Sequence, residues 1–161
     1  MIDPQILSDG FARNLAVIER QVFGLSHEDS LIQTAYHINC LNWVLGHIAV
    51  GRDAVLEYLG EECHLSQAEL ERYRRESDPI TGDGPDVARM ERIMEILRAQ
   101  QAKIAAALDA LTLEDTARVL DLGGDEVTLA RALDGQYFHE SYHTGQTDLL
   151  RQVAGMDDEV I

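Results

Sequence analysis

Only three prolines, Pro4, Pro79 and Pro85, interrupt a chain of 161 residues. Proline inside a helix removes a backbone hydrogen bond and clashes with the preceding turn. With so few breakers, and with no window of sustained apolar–polar alternation of β-branched residues, the chain reads as helix rather than strand.

Four helices are expected. The first runs from about Pro4 to Phe23, with Asp3 as N-cap, Pro4 at the first helical position and Gly24 as the stop. Leu7, Phe11, Leu15, Ile18 and Val22 form its apolar stripe. The second starts near Asn39 and ends at Gly60. Its segment Leu41–Gly51 is apolar on nearly every side, the pattern of a helix buried all round. Gly46 and Gly51 each cost such a helix about 1 kcal/mol relative to Ala, so close backbone approach or room for a ligand should compensate. The third follows Asp83-Gly84-Pro85 and runs to Leu111, with a seam through Val87, Met90, Met94, Leu97, Gln101, Ile104, Leu108 and Leu111. Gln101 is its one polar member. The fourth runs from Thr128, its N-cap, to Ala154, with Gly155 as the stop. Leu129, Leu133, Leu150 and Val153 mark the apolar ends of its inward stripe.

The link at 61–84 contains a short helix opened by a Ser66/Glu69 capping box. It is long enough to return along a helix of roughly 30 Å, so helices two and three need not form a hairpin. The acidic link at 112–127 reads as a solvated loop. The expected fold is an all-α four-helix bundle with a long crossover between helices two and three, as one domain over 1–161.

Charge narrows the partners. Thirteen Lys and Arg face 29 Asp and Glu, a net −16. Such a surplus repels phosphate backbones and anionic lipid heads, so neither nucleic acid nor membrane is expected as a partner. No apolar stretch reaches the roughly 18–20 residues a bilayer span needs. The start, Met1-Ile2-Asp3-Pro4, has no basic or apolar leader region. Two cysteines, Cys40 and Cys63, make no disulfide framework. A cytoplasmic setting is expected.

Three histidines carry the chemistry. His139 and His143 are four apart and share a helix face, so they can bind one divalent metal ion. His47 sits mid-way along the most buried helix, from which a facing helix can supply a third imidazole. Three neutral imidazoles leave coordination positions open, as catalytic sites do. Gln136, His139, His143 and Gln146 form a polar island in the fourth helix's inward stripe, and burying such groups unpaired costs several kcal/mol. A metal ion or a hydrogen-bonded polar core would each resolve that cost. His139–His143 also fits H-E-x-x-H, but the metzincin continuation fails at Gln146 and Leu149, no histidine follows His143, and a downstream Glu ligand would have to be Glu159 near the chain end.

The segment Asn39-Cys40-Leu41-Asn42-Trp43-Val44-Leu45-Gly46-His47-Ile48, followed downstream by Phe138-His139-Glu140-Ser141-Tyr142-His143-Thr144-Gly145-Gln146, resembles the DinB/YfiT-like superfamily of metal-dependent proteins. The shared pattern is N-x-x-x-W-x-x-G-H in helix two and H-E-x-x-H-x-G-Q in helix four. The resemblance implies up-down-down-up topology, a divalent metal, zinc or nickel foremost, on His47, His139 and His143, and a homodimer. Relatives include S-transferases and isomerases that use low-molecular-weight thiols as co-substrates.

Other residues keep two readings each. Glu140 is either a general base on metal-bound water or thiol or a residue that orients a ligand, or else a helix-surface carboxylate paired to an Arg. Gln146 is either a donor behind a metal ligand or a core residue, and Gln101 either reaches the pocket from helix three or does not. Cys40 and Trp43 read as core, Gly145 as a packing contact, His27 and His64 as loop residues, and His37 as pocket mouth or loop. Two functions remain open. One is a metal-dependent thiol transferase or hydrolase acting on a small molecule. The other is a non-catalytic dimeric bundle that binds a metal, ligand or partner.

Overall fold

The protein is mostly helical in a computed structural model that describes residues 3–36 and 38–158. Helix α1 spans Pro4–Val22, α2 His27–Ser30, α3 Leu41–Leu59, α4 Gln67–Tyr73, α5 Met90–Ala110 and α6 Leu129–Val153. A 3-10 turn at Asp115–Ala117 and strands β1 (Val119–Asp121) and β2 (Glu126–Thr128) precede α6. Helix α1 packs against α5 and α6, and so does α3. Each of these four helices therefore buries a stripe against two others.

The caps follow the chain's local chemistry. Asp3 accepts from the Gln5 amide, Thr128 from the Arg131 amide, and Ser66 and Glu69 complete their reciprocal box. Gly24, Gly60 and Gly155 take left-handed φ where α1, α3 and α6 end. The core is built from the predicted stripes. Phe11 and Ile18 of α1, Leu45 and Ile48 of α3, Leu97 and Ile104 of α5, and Leu129 and Leu133 of α6 are buried. Truncating one such side chain to Ala costs about 2–5 kcal/mol.

Several expectations are corrected. Helix α5 begins at Met90, not directly after Pro85, because a turn closes from the Val87 amide to the Gly84 carbonyl. Its first amide donates to Nδ1 of His27, which is fully buried on α2 and not a loop residue. The α3 N-cap is Cys40, without a side-chain cap bond, rather than Asn39. The 112–127 link is not simply a solvated loop. It forms the β1–β2 hairpin, in register Val119 to Thr128, around Gly123 and Gly124 at positive φ. Val153 is exposed, since the inward stripe ends at Leu150 and Arg151. Gly145 meets nothing within 4 Å of a hypothetical Cβ, so it makes no packing contact.

The two helix-interior glycines of α3 do compensate. A Cβ on Gly46 would run into the Tyr73 ring, and one on Gly51 would stand 3.2 Å from both Gln136 Oε1 and His139 Nδ1. Gly46, the residue before His47, admits α4, and Gly51, one turn after it, admits α6. Among the described residues no helix is long and apolar enough to cross a membrane. His37 and Glu159 lie outside the described residues.

Candidate metal centre

His47, His139 and His143 converge. One ligand nitrogen from each lies within 4.8 Å of the other two. The ring centroids are 4.9 Å apart for His47–His139 and His47–His143, and 4.5 Å for His139–His143. The i,i+4 spacing on α6 supplies one pair, and the close approach at Gly51 brings the third ring across from α3. His47 is buried, and its two partners are half-buried.

Hydrogen bonds fix which nitrogen two of the rings offer. His47 Nδ1 lies 2.8 Å from the Tyr73 carbonyl. A carbonyl only accepts, so Nδ1 carries the proton and Nε2 of the neutral ring holds a lone pair. His143 Nδ1 donates to Gln146 Oε1 at 2.7 Å, which likewise frees its Nε2. Trp43, one turn before His47, stacks on that ring at 4.5 Å and 19° and donates from Nε1 to Ser77 Oγ at 2.8 Å. Such bonds behind metal-binding imidazoles set tautomer and ring angle.

All three rings are held below the usual histidine range. Burial drives His139 down to about 4, with His143 and His47 adding to the effect. Burial also lowers His47, opposed by the Tyr73 carbonyl and assisted by the charges at His143 and Arg75. Burial lowers His143 against the opposing Gln146 bond. Neutral rings with free lone pairs are the form that binds cations.

The spacing of two of the donors fits a shared divalent ion. Nε2 of His47 and Nε2 of His139 are 3.0 Å apart. Two nitrogens each about 2.0–2.1 Å from one ion stand about 2.8–3.4 Å apart in octahedral or tetrahedral arrangements. The rings open on a cavity of about 660 Å³ walled by Trp43, Val44, Tyr142, Leu149 and Leu150, with Gln146 and Arg75 also lining it.

The remaining site predictions divide. Gln146 is brought to the centre, as an acceptor rather than a donor. Glu140 faces away from it. Both its oxygens are taken by Arg52, Nε to Oε2 at 2.8 Å and Nη2 to Oε1 at 2.9 Å, and it is 3% exposed. The carboxylate is thus paired to an Arg, but in the interior and not on the helix surface. Gln101 is not among the cavity-lining residues. Its neighbour Gln100 takes the fully buried position instead, donating to the Ala49 carbonyl and to Asp53. Cys40 is buried, as expected, and outside the histidine group. Tyr73, Arg75, Tyr142 and Ser77 were not foreseen. Of these only Tyr142 carried a signal, its place between His139 and His143; Tyr73, Arg75 and Ser77 reach the site through the fold of the 61–84 link.

A mostly helical protein with three imidazoles converging on a cavity between two of its helices belongs to the class of candidate three-histidine metal proteins. The family follows from comparison. A model of the DinB superfamily matches residues 26–147, a span that includes all three histidines, and the chain belongs to that superfamily. Its fold is similar to that of a conserved protein from Enterococcus faecalis solved by crystallography. The TM-score is 0.73 at 20% identity, covering 96% of this chain and 98% of that one. No curated protein matches the chain.

Proposed function

We propose that this DinB-superfamily chain is a metal-dependent enzyme that joins a small thiol to an electrophilic small-molecule substrate. The observation that carries the reading is the convergence of three neutral imidazoles, two with their second nitrogen already hydrogen-bonded, on one open cavity. A divalent cation held by His47, His139 and His143, zinc or nickel foremost, would supply a Lewis acid that makes a thiol or water nucleophilic near neutral pH. The thiol proton leaves to solvent, since Glu140 is engaged by Arg52. The sulfur forms a bond to the electrophilic carbon, and a leaving group departs with its electron pair. Tyr73 and Gln146 hold the rings in position, while Trp43, Val44 and Leu150 keep one wall apolar. The helix adjacencies and the long segment between α3 and α5 support the finer fold reading, a four-helix bundle of up-down-down-up topology. A homodimer in the cytoplasm completes the proposal.

The test is a thiol panel offered to the metal-loaded protein with a chlorinated fluorogenic acceptor. Turnover above the buffer blank for at least one thiol, abolished by His143→Ala, is expected. Rates equal to the blank for every thiol would remove the transferase reading.

A further inference from the structure

The charge lining the cavity runs against that of the whole chain. The protein carries 29 acidic residues and a net −16. None of the described acidic residues lines the cavity, and Arg75 is its one charged lining side chain. The rest of the lining is apolar or aromatic, with the amides of Asn39 and Gln146 and the imidazoles. A random piece of this surface would be acidic. This one excludes carboxylates and keeps a guanidinium, the side chain best matched to a planar anion.

The backbone turn that carries Arg75 is anchored on both sides, and its exposed side chain stands at the cavity rim. Two residues before it, the Tyr73 carbonyl receives the His47 proton. Two residues after it, Ser77 Oγ receives the Trp43 indole proton. The Ser77 amide bonds the Arg74 carbonyl at 3.2 Å, closing a turn with Arg75 and Glu76 at its centre. Glu76 has φ +65°, a left-handed conformation uncommon for a residue with a side chain. Arg75 lines the cavity and Glu76 does not. The Arg75–Glu76 contact is a long 3.8 Å between two largely exposed groups, so it leaves the guanidinium free to take another anion.

From this geometry we infer that Arg75 is a specificity-determining residue that selects a small carboxylate-bearing ligand for the histidine cavity. Resting on the thiol reading above, the co-substrate is a thiol that carries a carboxylate. Its sulfur goes to the histidine side, its carboxylate to Arg75, and its apolar body to the Trp43–Leu150 wall. A cation at the three neutral imidazoles would reinforce the preference for an anion.

Trp43 is the chain's single tryptophan and lines the cavity, so its fluorescence reports occupancy without any turnover. Zinc-loaded protein would be titrated at fixed ionic strength with 3-mercaptopropionate, its methyl ester, and butyrate, which lacks the thiol. The acid should bind about tenfold more tightly than the ester. Arg75→Gln should erase that preference, and Arg74→Gln, altering a neighbour outside the cavity lining, should keep it. Arg75 is 88% exposed, so the variant should fold normally. Equal binding of acid and ester, or a preference that survives Arg75→Gln, overturns the inference. Arg75-dependent binding of butyrate equal to that of the thiol acid would uphold the anion site and reject the thiol. No response to any of the three overturns both.

Discussion

Two polar clusters lie between the same pair of helices, and they differ in how they are satisfied. Arg52 of α3 meets Glu140 of α6 in a bidentate pair, and the guanidinium's other donors reach the Leu97 and Phe11 carbonyls. Every nitrogen of the guanidinium and both carboxylate oxygens have a partner, and both residues are almost completely buried. His47 of α3 meets His139 and His143 of α6 a few residues away. There two rings have one nitrogen fixed by a neighbour, and the Nε2 atoms of His47 and His139 face each other at 3.0 Å. A saturated cluster holds helices together. A cluster that keeps the Nε2 lone pairs of His47 and His143 beside a third imidazole can receive a cation.

If that contrast is right, the two clusters should respond oppositely to mutation. Glu140→Ala leaves a buried guanidinium without its partner and should cost about 3–5 kcal/mol in urea unfolding. His143→Ala should change the stability of metal-free protein by less than about 1 kcal/mol. A Glu140→Ala protein of normal stability but no activity would return the carboxylate to a catalytic role and break the comparison.

Gly46→Ala should come next. Its methyl would run into the Tyr73 ring, whose backbone carbonyl orients His47. A loss of about 1–3 kcal/mol is expected from overpacking, together with weaker metal binding by calorimetry. Unchanged affinity would show that the Tyr73 segment does not position His47.

Gln146→Ala should spare the fold and lower metal affinity about 10- to 100-fold, the usual effect of losing the bond behind a metal-binding imidazole. Competition with a chelator measures it. Wild-type affinity would mean the Gln146 bond is incidental.

The smallest effect concerns pH. His139 has its pKa lowered from 6.5 to about 4, chiefly by burial and then by His143 and His47. Between those values the unfolded chain binds a proton that the folded chain refuses. Stability should therefore be full above about pH 6.5 and fall as pH drops toward about 4. Melting of metal-free protein across that window should show the slope, and His139→Gln should reduce it, with His47 and His143 supplying the remainder. An unchanged slope in His139→Gln would place the titration elsewhere.

Much of the helical architecture was legible because it rests on periodicity and caps. Asp3, Ser66, Thr128, Gly60 and Gly155 sit where local chemistry places them. The boundaries that failed depended on distant partners. The start of α5 is set by His27, 63 residues earlier in the chain. The hairpin was hidden because its strands are three residues each, too short for alternation to stand out. Within the site, the histidine group was readable from an i,i+4 pair and a histidine on an apolar helix. Glu140 was not, because spacing alone leaves a carboxylate beside two ligands free to face either side of its helix. Only Arg52 on the neighbouring helix settles its direction. Arg75 had no sequence signal, since its place depends on a turn pinned by Tyr73 and Ser77.

The central claim is that the imidazoles at 47, 139 and 143 hold one divalent ion together. Elemental analysis of the protein purified without an affinity tag tests it most directly, beside His143→Ala handled identically. The account predicts about one equivalent of metal per wild-type chain and almost none in the variant. Metal-free wild-type protein that takes up no zinc, nickel or cobalt on addition would contradict it.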